Sequence, residues 1–219
     1  MSEFGNRAEF LGRLRVALSG GVPENPAHPL PPLGGPVPEI RFTSLDPTDL
    51  RAAFVGAAQY VAARPTRMPA LTAEFLAAFI EEEKVRTAVV SREPEARAAG
   101  AILAELGVAV SDYSREAALE ADLGVTSAVF GVAATGSVVQ DSSATGGRAV
   151  SLLPRVHLCV LPAERLVATP GDVLRSLGAR ALPSNLVFIT GPSRSGDIEQ
   201  IITMGVHGPT SVHIALIEG

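Results

Sequence analysis

The strongest constraint on the fold is an alternation of short apolar runs with longer helical patterns between residues 87 and 121. Residues 87–91 and 108–111 are short and apolar, as buried strands are, and residues 94–106 form an alanine-rich helical pattern that ends at Gly107. Because parallel strands need a crossover of about this length, the alternation predicts βαβ units. We therefore expect a three-layer α/β domain with a mainly parallel sheet.

The middle of the chain has a different pattern. Residues 127–134, 137–140, 149–153 and 156–161 are four strand-like runs separated only by turns. Turns without helices join antiparallel strands, so the pattern predicts an antiparallel insertion in the α/β frame.

Two helices are predicted before the alternation begins. One starts at Asp46 and Pro47, which suit a cap and a first turn, and the other starts at Thr72. The second ends in a run of acids from Glu81 to Glu83, which we expect to be solvated.

The first 38 residues differ from the rest of the chain. Residues 4–18 fit an amphipathic helix, and residues 22–38 contain seven prolines, which exclude regular structure. We predict an N-terminal helix and proline-rich strap over residues 1–38 and an α/β domain over residues 39–219. The helix has two expected partners, its own domain or a neighbouring copy, so a homo-oligomer is one expectation.

The composition excludes several classes of protein. Of the 219 residues, 47% are hydrophobic and 19% are charged, and the net charge is −5. Such a chain is globular, and without a cluster of lysines or arginines it offers nothing to a nucleic acid. No apolar run approaches the roughly 20 residues that cross a bilayer, and the N-terminus lacks a secretory pattern. We expect a cytoplasmic protein with no membrane span.

The chain has a single cysteine, Cys159, inside an apolar run. One cysteine can neither form an internal disulfide nor hold an iron–sulfur cluster or a cysteine-ligated zinc ion. We expect Cys159 to be a small core residue. No metal site is expected, because the sequence has no close pair of histidines and no H-E-x-x-H pattern.

The stretch FITGPSRSGDIEQIITMGVHGP, residues 188–209, carries the main functional signal. It joins an apolar strand to a loop of glycines and hydroxyls and then to Asp197 at a predicted helix start. Free amides and a helix dipole that converge in this way form a cradle for a carboxylate or phosphate. The P-loop interpretation fails, because Asp197 and Ile198 stand where that motif requires Lys and Ser or Thr.

Two further segments place polar residues where strands are expected to end. They contain Thr135 with Gly136, and Arg148. Ligands bind outside the carboxyl ends of strands in open α/β sheets, so we expect the three segments to line one crevice. Each residue has a simpler alternative: Thr135 and Gly136 as a turn, Arg148 as a structural ion pair, and Asp197 as a helix cap. The candidate substrate-binding residues are Thr135, Gly136, Arg148, Thr190, Gly191, Ser193 and Ser195, and the candidate catalytic residues are Asp197 and His207.

Three segments, GVTSAVFGVAATGS (124–137), RAVSLLPRVHLCVL (148–161) and FITGPSRSGDIEQIITMGVHGP (188–209), resemble the LUD domain family in sequence and in order. The resemblance covers roughly residue 87 to the C-terminus. It implies a fold similar to the sugar-phosphate isomerase and CoA-transferase superfamily. It also implies an accessory or substrate-binding subunit of an assembly that oxidises L-lactate to pyruvate. In that assembly, iron–sulfur clusters are carried by partner subunits and this chain has no cofactor.

In this interpretation Arg148 holds the carboxylate of the acid, and His207 accepts a proton near its hydroxyl carbon. The alternative is a stand-alone isomerase- or CoA-transferase-like enzyme that acts on a phosphorylated or thioester substrate. Members of the family often have a glutamate where this chain has Ala134, and a glutamate is the residue that an acyl-transfer mechanism needs. Ala134 therefore counts against the alternative. A scaffold that only docks partners is a third hypothesis.

Overall fold

The structure is a computed structural model, and it describes residues 49–177, 185–195, 203–204 and 208–219. The predicted N-terminal helix and proline-rich strap lie outside the described residues, and so do Asp197 and His207. No helix in the described ranges is both long enough and apolar enough to cross a bilayer.

The main sheet has six strands in the order β1-β12-β7-β4-β2-β3, and every neighbouring pair is parallel. Its strands are β1 (Arg64–Met68), β2 (Thr87–Val90), β3 (Ala109–Asp112), β4 (Leu123–Ser127), β7 (Val156–Pro162) and β12 (Ser211–Ile217). Every residue of β4 and β7 is buried. Burial on both faces is typical of a central parallel strand and explains why these runs are mostly apolar.

A second sheet of four strands has the order β8-β5-β6-β9. Its strands are β5 (Phe130–Val132), β6 (Ser137–Asp141), β8 (Leu166–Val167) and β9 (Leu186–Ile189). β6 pairs antiparallel with both β5 and β9, while β5 and β8 are parallel. Two short strands, β10 (Arg194–Ser195) and β11 (Thr203–Met204), form an antiparallel pair. The structure thus combines a parallel sheet with an antiparallel insertion, as the sequence predicts.

Several of the helices begin at a capping side chain. The helix start predicted at Asp46 and Pro47 lies outside the described residues, and the described helix begins at Leu50, after Asp49. The Thr72 hydroxyl accepts a hydrogen bond from the Phe75 amide at 3.2 Å, and the Asp49 carboxylate accepts one from the Ala52 amide at 3.0 Å. The helices are α1 (Leu50–Tyr60), α2 (Ala73–Glu83), α3 (Pro94–Glu105), α4 (Arg115–Glu120), α5 (Ser142–Thr145), α6 (Ala149–Leu152) and α7 (Pro170–Leu177), and Ala163–Arg165 form one turn of 3₁₀ helix.

The strand β7 separates the two main parts of the core. Leu158 and Val160 lie in one apolar cluster with residues of α2 and α3, whereas Cys159 and Leu161 lie in another with residues of α1. Alternate residues of a strand point to opposite faces, so both faces of the sheet are covered. The result is the predicted three-layer arrangement.

Two predictions about the middle of the chain were wrong. Residues 149–153 do not form a strand, because Ala149–Leu152 is the short helix α6. The run 156–161 is not part of the antiparallel insertion but the centre of the parallel sheet, between β12 and β4. The sequence analysis also missed β1, a polar edge strand that contains Pro65. Edge positions tolerate proline and exposed side chains, so β1 has little of the usual strand pattern.

The prediction that Glu83 is solvated was also wrong. Its side chain is only 11% exposed, and Oε1 lies 2.8 Å from His213 Nε2 and 3.0 Å from Ser211 Oγ. Arg64 Nη1 contacts the same oxygen at 3.0 Å. These contacts tie the end of α2 to the start of β12, more than a hundred residues later in the chain.

Candidate functional site

The structure brings two of the predicted loops together through a third hydroxyl. Ser137 Oγ lies 2.6 Å from Thr135 Oγ1 and 2.7 Å from Thr190 Oγ1, so the three side chains form one hydrogen-bonded row. We call Thr135, Ser137 and Thr190 the hydroxyl row. Thr135 lies in the turn between β5 and β6, Ser137 is the first residue of β6, and Thr190 follows β9 directly.

Two glycines hold these loops against α1. Gly136 and Gly191 have φ values of +64° and +78°, in the region that side-chain-bearing residues seldom adopt. A Cβ at Gly136 would overlap the backbone of Ala58, and one at Gly191 would overlap the carbonyl oxygen of Val61. Both positions therefore need glycine for close packing, and this packing fixes the two loops that carry the row.

The hydroxyl row has one more hydrogen-bond donor than its internal hydrogen bonds use. Its three O–H groups make two hydrogen bonds within the row, which leaves one O–H without an acceptor among the described residues. Ser137, in the middle of the row, is buried, whereas Thr135 is half-buried and Thr190 is exposed, so the Thr190 end of the row lies at the surface. A ligand with an acceptor oxygen, such as a carboxylate, is the natural partner for such an end.

The other predicted loop residues differ in how much the structure describes. The Ser193 amide donates to the Pro209 carbonyl at 2.9 Å, which joins this loop to the segment before β12. Ser195 lies in β10, paired with Thr203 of β11.

The structure places Arg148 in a different feature. Arg148 is exposed, immediately precedes α6 and lines an open groove of about 450 Å³ together with residues of α4 and α6. We call it the arginine groove; its lining residues are Tyr113, Arg115, Leu119, Arg148, Ala149, Leu152 and Leu153. The hydroxyl row lies at the start of β6, whereas Arg148 follows its end by seven residues. The strand β6 itself spans roughly 13 Å. No residue of the hydroxyl row lines the groove.

The carboxyl edge of the main sheet is occupied by an arginine that the sequence analysis did not single out. Arg165 Nη1 donates to Ser127 Oγ at 3.2 Å and to the Ala128 carbonyl at 2.9 Å, and Nη2 forms an ion pair with Glu95. Burial by itself would raise the pKa of the Glu95 carboxyl, but its backbone hydrogen bond and the charge of Arg165 outweigh that and lower it. Arg165 therefore ties the end of β4 to the start of α3.

Next to this pair lies a buried carboxyl group. Glu93 precedes α3, and neither of its carboxylate oxygens has a hydrogen-bond partner among the described residues. Burial raises the pKa of Glu93, since desolvation penalises the charged form.

A second buried polar group joins the two sheets. His157 Nε2 of β7 lies 2.8 Å from Thr126 Oγ1 of β4, and Gln140 of β6 donates to the same hydroxyl. Burial lowers the pKa of His157 to about 3, so its ring is neutral at physiological pH. These contacts hold the insertion on the main sheet and leave His157 as a structural residue.

Cys159 lies in the core, as predicted. Burial raises the pKa of its thiol to about 12, so the thiolate that a metal or an electrophile requires is strongly disfavoured. Within the ranges that the structure describes, no three side chains of His, Cys, Asp and Glu come close enough together to hold a metal ion.

The sequence analysis therefore found two members of the hydroxyl row and missed the residue that joins them. Ser137 stands one residue after Gly136, and its position at the start of a strand was the available signal. The neighbours of Arg148 in the groove come from residues 113–119, about thirty positions earlier in the chain. No local pattern links the two segments. Asp197 and His207 lie outside the described residues, so their relation to the row is a matter for proposal.

The fold is shared with a solved structure. A DUF162 family protein from Deinococcus radiodurans superimposes with a TM-score of 0.58 at 22% sequence identity, over 80% of this chain and 99% of that one. At that identity the similarity establishes the arrangement of helices and strands.

Curated relatives are more similar in sequence. A protein named lactate utilization protein C from Halalkalibacterium halodurans is 41% identical over 108 residues, which is 47% of each chain. The protein of the same name from Bacillus subtilis is 37% identical over 103 residues, 45% of this chain and 43% of that one. The chain is thus matched over about half the length of these curated relatives.

The family assignment covers more of the chain. Residues 80–217 match the LUD domain, a range that includes the hydroxyl row, the arginine groove and all strands of the main sheet except β1. On the strength of this match, the chain belongs to the LUD domain family.

Proposed function

We propose that this chain takes part in lactate utilization as the component that binds the small acid, L-lactate or pyruvate. The names of its curated relatives support the process, and the hydroxyl row supports the binding role. The single observation that carries the proposal is that Ser137 joins two loops distant in the sequence into one row of donors with a free O–H.

The carboxylate of the acid accepts a hydrogen bond from the free O–H of the row, at its exposed Thr190 end. The loop that follows, with Gly191, Ser193 and Ser195, supplies further donors. Carboxylates are held well by several donors at once, because both oxygens accept hydrogen bonds. We assign the proton-accepting role to His207 and an orienting role to Asp197, which follow in the same stretch of sequence.

Arg148 has no part in this site. Arg148 lies in the arginine groove, past the far end of β6. This position supports a site in which the hydroxyl row binds the small acid without Arg148. The groove is also much larger than a three-carbon acid needs.

Oxidation of a hydroxy acid to an oxo acid removes two electrons and two protons, so an electron acceptor is required. We propose that partner subunits with iron–sulfur clusters supply it. The single cysteine supports this division, because Cys159 is buried and its raised pKa disfavours the thiolate that a cluster needs.

The proposal is tested by titrating the full-length protein with L-lactate and with pyruvate in a calorimeter. We expect Thr190→Val to weaken binding by about fivefold, since one hydrogen bond is worth about 1 kcal/mol. Thr190 is exposed, so this variant retains the fold. Ser137→Ala removes the central hydroxyl and is expected to weaken binding further.

The matched control is Thr66→Val. Thr66 is also exposed, it lies in the edge strand β1, and its side chain has no hydrogen bond in the described structure. It is expected to bind the acids like the unmodified protein. Equal affinities for Thr190→Val and the unmodified protein would refute the site. Binding of sugar phosphates or CoA esters, with none of lactate or pyruvate, would favour the isomerase- or CoA-transferase-like alternative instead.

A further inference from the structure

We infer that the arginine groove is a docking surface for an acidic segment of a partner protein that also carries leucine or phenylalanine side chains. The inference goes beyond the proposed function by naming a surface through which this chain is held to another polypeptide. It uses none of the residues of the hydroxyl row.

The first argument is charge. Among the arginines in residues 49–177, six form ion pairs within the described structure: Arg64, Arg67, Arg97, Arg155, Arg165 and Arg175. Five have neither an ion pair nor a side-chain hydrogen bond there: Arg51, Arg86, Arg92, Arg115 and Arg148. Arg115 and Arg148 line the groove. Two arginines in one groove, without an acidic partner among the described residues, give it a local positive charge that an external anion can neutralise.

A third unpaired arginine stands beside the groove. A Cβ built on Gly146 would lie 2.9 Å from Arg92 Nε and 3.3 Å from the ring of Tyr113, which itself lines the groove. At Gly147 the added carbon would overlap the Tyr113 hydroxyl. The Gly146-Gly147 pair therefore lets the backbone before α6 pass close to Tyr113 and Arg92. Arg92 therefore lies close to the backbone that leads to Arg148.

The second argument is exposed apolar surface. The side chains of Leu119, Leu152 and Leu153 are 62%, 39% and 42% exposed, and all three line the same groove. Leu119 belongs to α4 and Leu152 to α6, so the leucines come from two neighbouring helices. Exposed leucines gathered in one groove offer an apolar contact surface that a partner's side chains can cover.

The third argument is size. The groove has a volume of about 450 Å³, which leaves room for several side chains of a partner segment. An acidic segment with apolar side chains meets both demands at once, because its carboxylates reach the arginines while its leucines or phenylalanines cover the exposed leucines. Arginine and tyrosine are enriched at the centres of protein interfaces, and an arginine fork pairs a carboxylate through two hydrogen bonds.

The test is a binding titration of the full-length protein with short fluorescent peptides, followed by anisotropy. The probe peptide carries glutamates and leucines on one helical face. One matched peptide has lysine in place of each glutamate, and another has serine in place of each leucine. We expect the probe to bind, and each matched peptide to bind at least about tenfold more weakly, equivalent to about 1.4 kcal/mol.

Paired arginine substitutions provide the control for charge. The double variant Arg115→Gln, Arg148→Gln is expected to weaken probe binding by about tenfold or more. The double variant Arg51→Gln, Arg86→Gln removes the same charge from two unpaired, exposed arginines outside the groove and is expected to change it less than about twofold.

Three results would overturn the inference. They are no binding of the probe, equal weakening by the two double variants, and full displacement of the probe by millimolar citrate or inorganic phosphate, which would make the groove a site for a free anion. Thr190→Val is expected to leave probe binding unchanged. A failure of the hydroxyl row as a lactate site is therefore separable from a failure of this groove as a docking surface.

Discussion

Gly124 shows how one residue sets the distance between two elements. It lies in the middle of β4, and α6 crosses it so closely that an added Cβ would overlap the carbonyl oxygen of Val150. The oxygen belongs to the backbone and the Cβ position is fixed by the backbone, so neither atom can rotate away as the end of a side chain could. Gly56, in α1, has no atom within 4 Å of the same position.

Gly124→Ala is expected to lower the free energy of unfolding by about 3 kcal/mol, because the new methyl group forces α6 away from the sheet. Gly56→Ala should raise it by about 1 kcal/mol, since alanine favours a helix interior and nothing blocks its side chain. Urea unfolding followed by circular dichroism measures both values. A Gly124→Ala protein as stable as the unmodified one would show that α6 does not lie against β4.

For single residues, the sequence predicts local contacts well and burial poorly. Thr72 was predicted to start a helix and does, because an N-cap acts within three residues of itself. The environment of Glu83 could not be predicted, because its partners Ser211 and His213 lie in the last strand. A capping contact depends only on residues close together in the sequence. The burial of a charged side chain depends on which distant segments pack against it.

At the scale of elements, the Glu83 cluster joins a helix to the start of β12 in the main sheet. Burial by itself would raise the pKa of Glu83, but the hydrogen bonds from His213 and Ser211 outweigh it, and the net pKa is lowered from its ordinary 4.5. Burial lowers the pKa of His213 from its ordinary 6.5, and Glu83 opposes this only in part. Both groups therefore bind protons more weakly in the folded protein than in the unfolded chain.

This arrangement makes stability depend on pH. The contribution of His213 is complete above pH 6.5 and that of Glu83 above pH 4.5, and each is lost as pH falls through its lowered value in the folded state. At pH 7 we expect Glu83→Gln to cost about 2 kcal/mol, as hydrogen bonds to a charged group are lost. Its difference from the unmodified protein should narrow as pH falls below 4.5, where Glu83 takes up a proton first in the unfolded chain and then, at its lowered pKa, in the folded protein. Urea titrations at several pH values measure this.

Glu82→Gln is the neighbouring control. Glu82 has a 63% exposed side chain and pairs with Arg64 alone among the described residues. An exposed pair of this kind contributes little, so the change should be small at every pH. If Glu82→Gln and Glu83→Gln were equally destabilising at pH 7, the buried cluster would have no special role.

The elements themselves were predicted unevenly, for reasons that differ from strand to strand. β2, β3 and the helix between them follow directly from an apolar run, an alanine-rich segment and a second short run. The four residues of α6 fit a strand or a helix equally well, since periodicity cannot be read over so short a segment. The pairing of β7 with β12 and β4 involves segments on either side of it, which no local pattern reveals.

The candidate site was predicted in part for the same reason. A turn with Thr135 and a loop with Thr190 each have a local signature, so both were found. Their meeting at Ser137, and the groove that gathers Tyr113 and Arg115 around Arg148, depend on how distant segments pack.

At the scale of the whole molecule, β12 is the strand that completes the main sheet. It pairs with β1 on one side and β7 on the other, and Val212 to Leu216 are buried. Without it, β1 has no other partner in the described structure. The parallel sheet thus depends on residues near the end of the sequence.

A chain that stops after residue 210 is expected to lose cooperative unfolding, because the gap between β1 and β7 exposes the apolar surface on both sides of the sheet. Removal of only residues 218–219 should retain a cooperative transition, since it costs the Arg67–Glu218 ion pair and one backbone hydrogen bond. Thermal unfolding by calorimetry distinguishes the two. A sharp transition in the shorter chain would show that the sheet closes without β12.

The position of β12 between β1 and β7 also matters during synthesis on the ribosome. Until Ser211–Ile217 leaves the exit tunnel, the nascent chain holds an open slot lined by unpaired amides and carbonyls of β1 and β7. Such a slot accepts any extended segment, including that of another nascent chain. Shielding of this slot by chaperones until translation of β12 is complete would favour correct folding over aggregation.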